Sequence, residues 1–124
     1  MRLIYALFFF TFSAFAQTPL TTEFLTDSTI PTDDALRAHV SGKTFKVKPA
    51  QGASWRLEYK ANGYAYLNTS SGFSDSGKWR VEKGQLCNDW PKLSLNTCSD
   101  VKMKDALLYV KRVSNGEIVA FQID

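Results

Sequence analysis

One stretch of the chain comes within a residue of a nucleotide site. Gly72-Phe73-Ser74-Asp75-Ser76-Gly77-Lys78 carries the glycines and the lysine of a phosphate-cradling loop. Trp79 stands where a Ser or Thr must hold magnesium. Such a loop also needs a helix after it, whose free N–H groups meet the phosphate. Lys78-Trp79-Arg80-Val81-Glu82 alternates like a strand instead, so phosphate binding is set aside. His39 is the only histidine, and no Gly-x-Ser-x-Gly elbow accompanies it. Asp33-Asp34 suits the start of a helix better than an acid/base pair. No His or Cys spacing matches a zinc site. The chain reads as no enzyme, with no cofactor and no metal.

The cysteines and the aromatics remain. Cys87 and Cys98 are the only two cysteines, an even count that in an exported chain reads as a disulfide. So short a closed loop stabilises by about 3 kcal/mol in the chain-entropy picture. Trp55, Tyr59, Leu67 and Trp79 fall on the expected inner faces of neighbouring strands and form the candidate ligand-binding set. Ser70 to Gly77 reads as a flexible Ser/Gly loop with Phe73 in its middle. Phe73 there either folds back as a lid or awaits a partner. Ser71, Gly72 and Phe73 form the candidate partner loop.

The N-terminus supplies the export signal. Met1-Arg2 is basic, Leu3 to Phe12 is almost wholly apolar, and Ala14-Phe15-Ala16 is a cleavage site. Residues 1–16 therefore read as a secretory signal peptide cut after Ala16. The run is too short to span a bilayer, which needs about 20 apolar residues. The expected product is soluble, monomeric, and periplasmic or secreted. With 15 Lys and Arg against 12 Asp and Glu, the net charge of +3 is too mild for a dedicated nucleic-acid binder. A hydrophobic content of 44% is too high for a disordered chain. Asn68-Thr69-Ser70 matches a glycosylation sequon, which means little in a bacterial product.

The positioning elements follow from period and punctuation. Residues 17–31 hold no period and read as an irregular arm, tacked by Phe24, Leu25 and Ile30. Thr32 to Val40 reads as one short helix, capped by Thr32 or Asp33 and stopped at Gly42. From Lys43 the period drops to two. Alternation marks Thr44–Lys48, Trp55–Lys60, Tyr64–Thr69, Lys78–Glu82, Leu86-Cys87, Val101 with Met103, Leu107–Lys111 and Ile118–Ile123. About eight short strands with no long helix between them predict an all-β fold, a small antiparallel β-barrel or half-open meander. At Asn62-Gly63, a three-residue loop turns Trp55, Leu57, Tyr59, Ala65 and Leu67 inward, and a two-residue loop turns Tyr64 and Tyr66 inward. The first is preferred because it leaves Glu58 and Lys60 outside. Strands this short favour a barrel filled by side chains over one that holds a ligand.

Residues 42–124 resemble the small lipocalin-like, or calycin-type, domains of exported bacterial proteins. The likeness rests on Gly42-Lys43-Thr44-Phe45, on Trp55, Leu57 and Tyr59 before Asn62-Gly63, on Gly77-Lys78-Trp79-Arg80-Val81, and on Gly84, Leu86, Cys87 and Cys98. In the larger lipocalins a Trp follows the opening Gly at the second position, whereas here Phe45 comes at the third. The resemblance implies a single barrel domain over residues 32–124 that binds rather than catalyses. A second, weaker likeness is to exported bacterial lysozyme inhibitors, which present a Ser-Gly step such as Ser71-Gly72 to the enzyme's cleft. Two functions are expected from these readings. One is a binding protein for a small apolar or amphipathic ligand. The alternative is a protein-binding inhibitor or accessory factor acting through the 70–77 loop.

Overall fold

The computed structural model describes residues 20–124. The expected signal peptide, residues 1–16, lies outside the described residues.

The helix α1 covers Asp33–Val40. Thr32 takes the cap, its hydroxyl accepting from the Ala35 N–H at 3.2 Å. Asp33 is left free to accept from the Gly84 N–H at 2.7 Å, which ties the helix to a turn of the sheet. Leu36 and Val40, four residues apart, share the face turned to the barrel and are fully buried. Gly42 follows at φ +76°, a conformation that glycine adopts without a steric cost.

Eight strands then run in a meander: β1 Lys43–Val47, β2 Trp55–Tyr59, β3 Tyr64–Thr69, β4 Ser74–Glu82, β5 Gln85–Trp90, β6 Leu95–Lys104, β7 Leu107–Lys111 and β8 Ile118–Ile123. Every neighbouring pair is antiparallel, and β1 also pairs with β8, so the sheet closes into a barrel. Closure leaves no strand edge unpaired. The seam is short, with Phe45 opposite Ile123 and Lys46 opposite Gln122. Asp124 extends it: its N–H donates to the Thr44 carbonyl at 2.9 Å. Its carboxylate meets Lys46 at 3.2 Å and Arg56 at 3.0 Å.

The turn after β2 is the three-residue loop. Lys60 N–H donates to the Tyr64 carbonyl at 2.8 Å, Gly63 sits at φ +91°, and Tyr59 stands opposite Ala65. Leu57, Tyr59, Ala65 and Leu67 are accordingly buried, while Tyr64 and Tyr66 face out. Cys87 and Cys98 form the disulfide, directly opposite each other on β5 and β6. It staples two strands that are already hydrogen-bonded, from the outer side of the barrel.

Three expectations are corrected. Ser70–Gly77 is not one loop, because β4 starts at Ser74 and only residues 70–73 turn. The polar start of β4 is stabilised by Asp75, which is buried and accepts from the N–H groups of Ser76 at 2.8 Å and Lys92 at 3.0 Å. β5 and β6 are far longer than Leu86-Cys87 and Val101 with Met103, and Pro91–Leu93 joins them as one turn of 3₁₀ helix. The arm is held by its backbone rather than by Leu25 and Ile30, which are exposed. Thr29 exchanges hydrogen bonds with Met103 at 2.9 and 2.7 Å, and Thr21 accepts from Ile118 at 2.7 Å. Phe24 does make a contact, lying 5.3 Å from the Lys102 ammonium.

At Gly77 β4 presses against β5 so closely that a Cβ would stand 1.8 Å from the Asp89 carbonyl oxygen. Gly77→Ala is therefore expected to cost about 3 kcal/mol in chemical denaturation, whereas the neighbouring outward Ser76→Ala costs less than about 0.5 kcal/mol. A Gly77→Ala protein as stable as wild type would show that the two backbones part easily.

His39 stacks 6.0 Å from the Phe45 ring, and its Nε2 is buried without a hydrogen-bond partner. Burial, with help from the Lys43 charge, holds its pKa below the usual 6.5. The unfolded chain then binds the proton more readily than the native one, so stability falls as pH drops below 6.5. Asp124 gives a second loss, because the Lys46 hydrogen bond leads in lowering its pKa below 3.8. His39→Phe should flatten the first step and leave the second, measured as urea midpoints between pH 7.5 and 2.5.

Candidate functional site

The two ends of the barrel differ. Turns 60–63, 83–84 and 105–106 share one end with α1, whose Leu36 and Val40 fill it together with Phe45, Leu86 and Leu108. The other end carries the longer connections 48–54, 70–73, 91–94 and 112–117. There an open cavity of about 470 Å³ enters the barrel. That volume lies within the range of roughly 300–1,000 Å³ typical of small-molecule sites. The filled interior expected from short strands therefore holds for one half of the barrel only.

Three of the four candidate ligand residues line this cavity: Trp55, Tyr59 and Leu67. Trp55 and Leu67 occupy inward positions of β2 and β3, and Tyr59 sits deeper, 1% exposed. Trp79 is not in the cavity. Its indole N–H donates to the Lys60 carbonyl at 2.8 Å, and its ring meets Tyr59 edge-on at 5.6 Å. Trp79 thus plugs the barrel near the Gly63 turn and opens onto a shallow depression outside.

The candidate partner loop divides in the same way. Phe73 lines the cavity rim and keeps 37% of its surface exposed. Thr69 holds it there, its N–H donating to the Phe73 carbonyl at 2.8 Å while its hydroxyl accepts from the Phe73 N–H at 3.1 Å. Ser71 and Gly72 stand at the exposed tip of this turn and do not line the cavity.

The rest of the wall was not singled out by the sequence. Asn88 and Trp90 alternate inward with Leu86 along β5, and period-two reading of β5 beyond Cys87 finds them. Phe121 lines the cavity from β8. Arg112 brings a charge to the wall. Its guanidinium lies 4.6 Å from the Trp55 ring centre and donates to Glu117 at 3.0 Å. Glu117 is 4% exposed and takes the Ala50 N–H on its other oxygen at 2.8 Å. This charge is therefore neutralised and held flat against the rim.

Deep in the cavity the Tyr59 hydroxyl and Asn88 Oδ1 are both buried. Burial raises the Tyr59 phenol far above its usual range, so it stays protonated. The Asn88 side chain stands within hydrogen-bonding reach of the phenol and opposes that shift, so the two buried groups are neighbours. Outside the barrel the Glu82 carboxylate lies beside Cys87 and Cys98, whose sulfurs are bonded to each other and offer no thiolate to a metal. No helix among the described residues is long and apolar enough to cross a membrane. No family model, curated protein or solved structure matches this chain.

Proposed function

We propose that the protein is an exported, soluble, non-enzymatic carrier that takes a small apolar or amphipathic ligand into its barrel. The observation that supports this most is the open, largely apolar cavity at the end away from α1. Apolar wall left facing water is unfavourable by about 25 cal/mol per Å², and a ligand removes that cost. The aromatic rim of Trp55 and Phe73 and the few inward polar groups are the usual composition of such a site. The closed eight-stranded barrel with a short preceding helix is compatible with the lipocalin-like resemblance of residues 42–124. Export fits the apolar leader at residues 1–16 and the disulfide. The inhibitor reading is less well supported, because Phe73 is engaged at the cavity rim.

Thr97, half-buried on the cavity wall, gives the test. Wild-type protein should enhance the fluorescence of 1-aminoanthracene, and Thr97→Trp should weaken that binding about tenfold or more by filling the space, with a nearly unchanged melting temperature. A folded Thr97→Trp protein that binds the probe as before would sink the carrier reading. Native mass spectra of gently purified wild type should show a small additional mass that denaturation removes.

A further inference from the structure

We propose that the open end of the barrel docks on an anionic lipid bilayer, with the cavity mouth facing the membrane. This goes beyond the carrier reading and does not rest on it, because the surface concerned is the rim and not the interior.

Four large apolar side chains surround the mouth and stand exposed: Phe73, Leu93, Leu95 and Val113. They come from three separate connections: the turn at 70–73, the 3₁₀ turn that leads into β6, and the turn at 112–117. Apolar side chains exposed together around one opening mark a surface that something covers. A single exposed side chain elsewhere, such as Tyr64 near the closed end, carries no such meaning.

The charges at this end decide what the cover is. In the connections 48–54, 70–73, 91–94 and 112–117 the charged residues are Lys48, Lys92, Arg112 and Glu117. Glu117 is buried and bonded to Arg112, so that pair presents no net charge. Lys48 and Lys92 are exposed, and the Lys111 stem lies over Gly116 in the last of these turns. Among the described residues none of these three lysines joins an ion pair. Apolar tips set among unpaired lysines suit a headgroup layer. The tips reach the acyl boundary, and the ammonium groups meet lipid phosphates. A second copy of the chain is a poorer cover, since a two-fold contact mouth to mouth sets each set of lysines against itself. An acidic protein would match the charge, but the path of the chain favours the bilayer. The Ile118 N–H, at the start of β8 beside the mouth, donates to the Thr21 carbonyl at 2.7 Å. The arm therefore meets the barrel on the mouth side, and the apolar leader of residues 1–16 precedes it in sequence. A membrane that holds the leader during export lies nearest this end.

The test is co-sedimentation of the full mature protein with vesicles at pH 7 and low salt. Phosphatidylcholine vesicles containing about 30% phosphatidylglycerol should bind it at least about tenfold more tightly than phosphatidylcholine alone, since each lysine at an anionic surface is worth about fivefold. Raising NaCl to about 0.5 M should remove most of that preference. Leu93→Ser combined with Val113→Ser should weaken binding to the anionic vesicles about tenfold or more, and Lys48→Gln combined with Lys92→Gln should do the same. All four positions are exposed, so both proteins should melt nearly as wild type does. Tyr64→Ser should bind as wild type. Absence of binding to either vesicle would overturn the proposal and leave an acidic protein as the cover. Rim variants that bind as tightly as wild type would overturn it as well, because another face would then be the one that docks. So would a wild-type dimer in analytical ultracentrifugation that Leu93→Ser combined with Val113→Ser splits, since a second copy would then cover the rim. Vesicles that fail to bind leave the carrier reading standing, and failure of 1-aminoanthracene to bind leaves vesicle docking standing.

Discussion

The barrel depends on a seam of two residue pairs. Strands β2 to β8 follow one another through turns and pair as they form. The contact between β1 and β8 joins the ends of the sheet and is the strand pairing most distant in sequence among the described residues. Closing so long a loop costs entropy before the contact returns any energy. The seam is reinforced on both sides. Inside, Phe45 packs against Phe121 at 5.5 Å and against Tyr59 at 5.9 Å. Outside, the Asp124 carboxylate reaches Lys46 on β1 and Arg56 on β2. Such exposed ion pairs are weak, and their effect here is to fix register more than to add stability.

Closure sets the width of the interior, and the sequence does not supply enough bulk to fill its whole length. At one end α1 adds Leu36 and Val40, and the aromatic cluster of Phe45, Tyr59, Trp79 and Phe121 packs beneath them. At the other end, among the described residues, no second α-helix arrives, and the wall carries Thr69, Thr97 and Ser99 among its apolar residues. The helix and the cavity are therefore two consequences of one asymmetry. The Arg112–Glu117 pair and the Thr69–Phe73 turn keep this thinly packed end in shape.

Much of this was legible in the residues, for identifiable reasons. The three-residue turn at Gly63 sets Ala65 and Leu67 inside with Leu57 and Tyr59 and leaves Tyr64 and Tyr66 outside with Glu58 and Lys60, the register preferred from the residues. Thr32 and Gly42 bracketed α1, and the even cysteine count behind an apolar leader pointed to the disulfide that is present. What escaped was strand written in polar residues. Asp75, Asn88, Thr97 and Ser99 all face inward, and hydropathy reads each as loop. Asp75 is inward because it caps the 3₁₀ turn at Lys92, a tertiary reason invisible locally. Trp79 misled in the opposite sense: its inward position was right, but its indole N–H draws it to the Lys60 carbonyl at the closed end.

The inward polar residues that hid the strands are also those that give the cavity its character. Asp75 and Glu117 are buried too, but every one of their bonds serves the fold. Tyr59 and Asn88 stand beside each other, and the Asn88 side chain opposes the rise that burial gives the Tyr59 pKa. His39 lies outside the cavity, where stacking on Phe45 accounts for its position. Threonine, serine and asparagine at these inward positions leave the open half of the barrel less tightly filled than the half that α1 closes.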